Sequence, residues 1–185
     1  MSPPPADVAA LERRIEQLEA RLDAAESVQR IHLLKAHYGE VTDRRYTRDG
    51  PVPREQLEPI AREVASLFTE EGIWDGGSQL GRCVGREAIY QRFLEPTLHF
   101  AKHFFVKPQI QVEGEVARGT WDLLAPCTAT DGRPYWMAGV EHDRYQRVAG
   151  SWLHSYMKLD LVFMAPYQRG WSRSASLDAT QGRQK

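Results

Sequence analysis

The feature that most constrains this chain is a pair of overlong strand patterns near its end. Residues 135–147 and 152–164 each read as one long strand, and Ala149-Gly150 joins them. Strands commonly run about five or six residues. A hairpin of roughly twice that length has to twist and bend to stay close to one core. Two further strands precede it, over 104–112 and 116–125, separated by the turn Glu113-Gly114-Glu115. Ala117, Gly119, Trp121 and Leu123 alternate onto one face of the second. Asp131-Gly132 is a strong hairpin signal before the long pair.

Ahead of these strands the period is helical. Leu11, Ile15, Leu18, Leu22 and Ala25 follow a 4-3-4-3 spacing on an otherwise charged stretch. That stripe suits a helix packed either on its own domain or against a partner subunit. Val28, Ile31, Leu34, Tyr38 and Val41 form a second, core-facing stripe that ends near Thr42-Asp43. Asp49-Gly50-Pro51 reads as a turn. A helix is expected from Glu58-Pro59, with Ile60, Val64, Leu67 and Phe68 inside and Gly72 as its C-terminal cap. Ile73-Trp74 reads as a short strand, 76–85 as a glycine-rich loop, and 86–94 as a helix stopped by Pro96.

Helices followed by antiparallel strands imply an α+β fold with the helices on one face of the sheet. A strongly curved, mostly antiparallel sheet closed by N-terminal helices makes a cone, a cone-shaped α+β barrel. Its interior suits a small apolar ligand. One domain over 28–171 is expected, with a disordered start and extra heptad helix in 1–27 and a polar tail over 172–185.

A net charge of -1 argues against a nucleic-acid face. No apolar run approaches the ~20 residues that span a bilayer. Met1-Ser2-Pro3-Pro4-Pro5 lacks the basic and apolar regions of a secretory signal. With Cys83 and Cys127 as its two thiols, a cytoplasmic protein with reduced cysteines is expected.

Three sets of residues offer chemistry. Tyr38 and Asp43 lie five apart, ~140° around an unbroken helix. They converge only if the helix ends between them, as Gly39 and Thr42 permit. An aspartate at a helix C-terminus meets the negative end of the dipole. Burial there would raise its pKa and make it a better base, unless Arg44 and Arg45 fold back on it. His103 opens the sheet beside Phe104, Phe105 and Val106, where an imidazole can be poised near neutral pH. The third set is aromatic: Trp74, Trp121, Trp136, Trp152, Tyr135, Tyr145, Tyr156 and Phe163. Most are core residues, and a few could line a pocket for a ring-containing ligand. His99 and His103 stand four apart without further ligands at metal spacing, so no metal is expected. The loop 76–85 lacks the Gly-Lys-Ser/Thr ending and the dinucleotide fingerprint. No cofactor is expected.

Several phrases in order resemble the SnoaL-like branch of the nuclear transport factor 2-like superfamily. They are IHLLKAHYGEVTD (31–43), LFTEEGIWDGG (67–77), GRCVGREAI (81–89), HFFVKPQIQVEGEVAR (103–118), EHDRYQRVAGSW (141–152) and FMAPYQRGW (163–171). The stretch 44–58 looks like an addition to it. The resemblance implies the same cone. It also implies a catalytic aspartate at the end of the first core helix and a histidine on the first sheet strand, matched by Asp43 and His103. Bile-acid dehydratases of this superfamily carry a tyrosine five residues before the aspartate, matched by Tyr38. Their second acid, on a sheet strand, has Asp122 and Glu141 as candidates here. Trp74, Trp121, Glu141, Tyr156 and Phe163 are the expected pocket residues.

The implied activity is a cofactor-independent lyase acting by acid–base catalysis on a hydrophobic cyclic or aromatic small molecule, by loss of water, formaldehyde or another small fragment. An isomerase or cyclase with Asp43 as a lone base, and a non-catalytic binding protein, are the alternatives. Such relatives form homo-oligomers, with a trimer slightly preferred over a dimer.

Overall fold

A computed structural model describes residues 6–169. The Pro-rich start, Trp171 and the polar tail lie outside them. A single helix, α1 (Ala6–Asp43), runs 38 residues, about 57 Å at 1.5 Å per residue. It passes residues 27 and 28 without a break, so what changes there is packing. Leu11, Ile15, Leu18 and Leu22 are exposed, whereas Ser27, Ile31, Lys35, Tyr38 and Val41 are buried. The helix first meets the body at Asp23, which accepts from both terminal nitrogens of Arg147 at 3.0 and 2.8 Å. Gly39 does not end the helix. A Cβ there would stand 3.1 Å from the Phe105 ring, so the glycine lets that ring lie against the backbone.

A two-stranded hairpin, β1 (Tyr46–Thr47) and β2 (Gly50–Pro51), follows. Helix α2 (Arg54–Ser66) begins after Pro53, earlier than Glu58-Pro59 suggests, and carries Pro59 inside. Gly72 is not its cap. It lies within strand β3 (Phe68–Asp75), where a Cβ would stand 2.9 Å from Phe68 Cβ and 3.0 Å from Thr69 O. A short helix α3 (Gly77–Leu80), β4 (Arg82–Val84), α4 (Arg86–Phe93) and β5 (Phe100–Ala101) lead into the main strands. These are β6 (Phe104–Glu113), β7 (Val116–Thr128), β8 (Pro134–Val148) and β9 (Ser151–Pro166).

The seven-stranded sheet has the order β4-β3-β9-β8-β7-β5, with β6 also on β7. Only β3–β9 is parallel; the other pairs are antiparallel. Register shifts interrupt β6–β7 between Val106 and Gln109, and β8–β9 between Ala138 and Gly139 and between Arg144 and Tyr145. Such irregularities bend strands and increase their twist, which is how 15- and 16-residue strands wrap one core. The concave face meets α1, α2 and α4, giving the cone-shaped α+β fold. No described helix is long and apolar enough to cross a membrane.

His154 sits inside this core, fully buried, with ring centroids 4.9 Å from Tyr145 and 5.1 Å from Phe68. Neither ring nitrogen has a hydrogen-bond partner. Burial pushes its pKa down to about 3, against the pull of Asp143. An unfolded histidine titrates near 6.5, so between those values the unfolded chain binds the extra proton. Stability is expected to hold above about pH 6.5 and to fall as pH drops toward 3, by up to ~1.4 kcal/mol per unit from this group. Urea unfolding of the protein and of His154→Phe at pH 7 and pH 5 checks this. The substitution should flatten the difference between the two pH values.

Candidate active site

The last residue of α1 and the residue ahead of β6 meet at the rim of the cone. His103 Nδ1 lies 2.8 Å from Asp43 Oδ1, and the His103 backbone N–H donates to the same oxygen at 3.0 Å. Lys102 Nζ stands 2.8 Å from Asp43 Oδ2. An ionised carboxylate only accepts, so Nδ1 carries the hydrogen and Nε2 is left with a free lone pair. Burial would raise the Asp43 pKa. The hydrogen bond and charge of His103, the contact with Lys102 and the backbone N–H outweigh it and hold the carboxyl below its ordinary value. Asp43 is therefore held as an anion against His103, contrary to the expectation that burial would raise its pKa. Of the two arginines beside it, Arg44 turns outward to Glu63 and only Arg45 goes inside.

His103 borders two spaces. Outward is an open groove of about 530 Å³ that includes Asp43, Lys102 and Phe104. Inward is a chamber of about 60 Å³ inside the cone, shared with Tyr38, Arg45, Trp74 and Glu141. Leu80, Thr97, Leu98, Met137 and Leu159 line both this chamber and a vestibule of about 540 Å³. Small-molecule sites commonly span about 300–1,000 Å³. The vestibule falls within that range, and the chamber continues it inward to His103.

Tyr38 and Asp43 do not converge directly, because the helix runs unbroken through both. Tyr38 points into the chamber, where its oxygen accepts from Trp74 Nε1 at 3.1 Å. Burial, with the charge of Glu141, raises the phenol pKa, so Tyr38 keeps its proton and offers it as a donor. No described residue accepts that proton.

Behind Glu141 lies a group that the sequence reading missed. Lys35 is fully buried, contacts Glu141 Oε2, and donates to Asp143 Oδ2 at 2.8 Å. Its Nζ lies 4.4 Å from the Phe105 ring centroid. Tyr145 donates its hydroxyl to Asp143 at 2.7 Å and accepts from Trp121 Nε1 at 2.9 Å. Burial alone would lower the Lys35 pKa, but the two carboxylates raise it and keep the ammonium charged. One cation faces two acids. Burial, with Asp143 beside it, pushes the Glu141 carboxyl up despite Lys35. The acid that borders the chamber is thus shifted toward its protonated form. A lysine one turn ahead of Tyr38 on a core-facing helix was the available signal.

Of the remaining expected residues, Trp74 and Glu141 reach the chamber and three do not. Trp121 is buried among Ile31, Ala117, Tyr145 and Trp152, and borders the outer groove. Tyr156 lies on the outer face under Arg144, because the register shift between Arg144 and Tyr145 reverses the alternation of β9. Phe163, opposite Ala138, follows the second shift and lines neither chamber nor vestibule. Asp122 pairs with Lys107 away from the chamber, which leaves Glu141 as the strand acid at the site. Among the described residues no group of three His, Cys, Asp or Glu could hold a metal ion.

A family profile described as the SnoaL-like domain matches residues 60–158. The chain belongs to the SnoaL-like domain family. Solved structures of similar fold include a hexachlorocyclohexane dehydrochlorinase (LinA) Type2, 19% identical over 79% of this chain and 92% of that one, with a TM-score of 0.65. A candidate scytalone dehydratase from Novosphingobium aromaticivorans is 18% identical over 82% of this chain and 93% of that one, TM-score 0.64. An NTF2-like protein with a cystatin-like fold from the same species is 20% identical over 78% and 88%, TM-score 0.63. The likeness to these structures is one of fold. No curated protein matches.

Removing one partner of a buried ion pair leaves the other charge uncompensated and costs about 3–5 kcal/mol. Lys35→Met is expected to destabilise this SnoaL-like domain by that amount in chemical denaturation. Adding Glu141→Gln should recover part of the loss.

Proposed function

We propose that this chain is a cofactor-independent lyase that removes a small fragment from a hydrophobic cyclic or aromatic molecule. The observation that carries the reading is the 2.8 Å contact of His103 Nδ1 with Asp43 Oδ1, at a histidine that borders the chamber. His103 Nε2 takes a proton from a substrate carbon. The electron pair released from that C–H bond forms the new double bond as the leaving group departs from the neighbouring carbon. Asp43 holds the tautomer and stabilises the imidazolium. Glu141, with its raised pKa, protonates a leaving oxygen, and the Tyr38 hydroxyl donates a hydrogen bond to a substrate oxygen. The names of two fold relatives, a dehydrochlorinase and a candidate scytalone dehydratase, support an elimination. The lowered pKa of Asp43 weakens the isomerase reading in which it acts as a lone base.

General acid–base groups contribute about 10²–10⁴-fold each. His103→Ala and Asp43→Asn are each expected to lower turnover by about that factor while circular dichroism stays native. The assay is mass spectrometry of cyclic alcohols and halides incubated with the protein, read as loss of water or hydrogen halide. Full activity in either variant removes the dyad, and a product of unchanged mass returns the reaction to an isomerase.

The family resemblance supports a homo-oligomer assembled through the outer sheet face, a trimer slightly preferred over a dimer, and the exposed stripe Leu11, Ile15, Leu18 and Leu22 adds to such an interface. Light scattering is expected to show that assembly, and replacing the four residues by Ser should reduce it. A monomeric wild-type chain overturns this reading.

A further inference from the structure

The chamber holds a charge that the dyad does not use. Arg45 is 6% exposed and borders the chamber. Its Nε donates to Thr42 O at 3.0 Å, and its guanidinium carbon lies 4.6 Å from the Phe93 ring centroid and 5.1 Å from that of Tyr46. No described residue accepts a hydrogen bond from its two terminal nitrogens, and no described carboxylate forms an ion pair with it. Both carboxylates bordering the chamber are engaged: Glu141 with Lys35, and Asp75 with the Gly77 N–H at 2.9 Å. A second cation, Arg92, shares the wall, but each of its three nitrogens already donates to a protein oxygen: Leu80 O, Glu95 O and Thr97 Oγ1.

An independent observation points to the same spot. Thr42, 2% exposed and also on the chamber wall, has a buried hydroxyl oxygen without a hydrogen-bond partner. Buried polar groups are nearly always satisfied, so the unpartnered Thr42 hydroxyl calls for an explanation. With aromatic rings beside its faces, the guanidinium has its edge free. A planar carboxylate takes that edge with two parallel hydrogen bonds. A single guanidinium edge and one hydroxyl match a singly charged carboxylate; a doubly charged phosphate would need more donors.

We propose that Arg45 and Thr42 form a carboxylate-binding subsite, and that the ligand of this chamber is an aromatic or alicyclic carboxylic acid. The acid group anchors at Arg45, the ring extends into the vestibule past Leu80 and Leu159, and the carbon skeleton passes His103. The hairpin after α1 maintains the anchor: Val52 N–H donates to Arg45 O at 3.0 Å. The inference deepens the lyase reading by naming its substrate class, and so rests on it for the chemistry, but the anchor is tested by binding alone.

Isothermal titration calorimetry of the full chain would compare benzoate, cyclohexanecarboxylate and 2-naphthoate, each with its hydroxymethyl counterpart. At least one acid is expected to bind about tenfold or more tightly than its alcohol. Arg45→Gln should remove the preference and Thr42→Val should reduce it about two- to fivefold, with native circular dichroism. Arg45→Lys, which keeps the charge and loses the planar fork, should fall between wild type and Arg45→Gln. If Arg45→Gln fails to fold, Arg45→Lys and Thr42→Val carry the variant test. Wild-type protein that shows no preference for the acid in any pair overturns the proposal, as does a preference undiminished in folded Arg45 variants. His103→Ala should keep the preference while losing turnover. Loss of turnover without any acid preference defeats the subsite alone. Acid preference with full turnover in His103→Ala defeats the lyase reading alone.

Discussion

Lys35 ties the long helix to the curved sheet. It stands on the buried stripe of α1 between Ile31 and Tyr38. The sheet meets it with Glu141 and Asp143, two residues apart on β8 and so on one face. Charges out of water are tolerated only in well-made pairs, so this contact resists any slip of helix against strand. Tyr38 lies less than one turn further along the helix and Asp43 ends it. Where the phenol and the carboxylate stand relative to the sheet follows from where Lys35 is held.

The unbroken helix then separates two tasks. Tyr38 faces the chamber and keeps its proton. Asp43, ~140° around, faces the rim and takes hold of His103, whose ring borders the chamber. Two acids at one site are pushed apart: Asp43 downward by His103 and Lys102, Glu141 upward by burial and Asp143. Environments that separate two carboxyls in this way let them differ in protonation at the same pH. The stretch 44–58, which resembles an addition to the family pattern, brings Arg45 to the chamber wall and starts α2.

Much of the fold was legible because its signals are local. The helical stripes of α1 and α2, the alternation over 116–125, and the Asp131-Gly132 turn each sit in a few consecutive residues. Asp43 and His103 stood out as separate candidates, and the family phrases made them a pair. Their 2.8 Å contact needed the α1 end and the residue ahead of β6 to be brought together across 60 positions. Lys35 was passed over because a lysine on a charged helix reads as solvated until the partner strand is known. Arg45 could only be placed once its neighbours were.

By itself the sequence determined that helices would pack on a sheet too long to stay flat, and that the inward alternation of β7 would run through Ala117, Gly119, Trp121 and Leu123, as it does. Only the tertiary structure decided which side chains of β9 enter the cone. Two register shifts against β8 reverse its alternation, sending Tyr156 and Phe163 away from the chamber and Met157 and Leu159 toward it. A strand turns every side chain over when its pairing slips by one residue, and a slip made against a neighbouring strand leaves no mark in the local pattern.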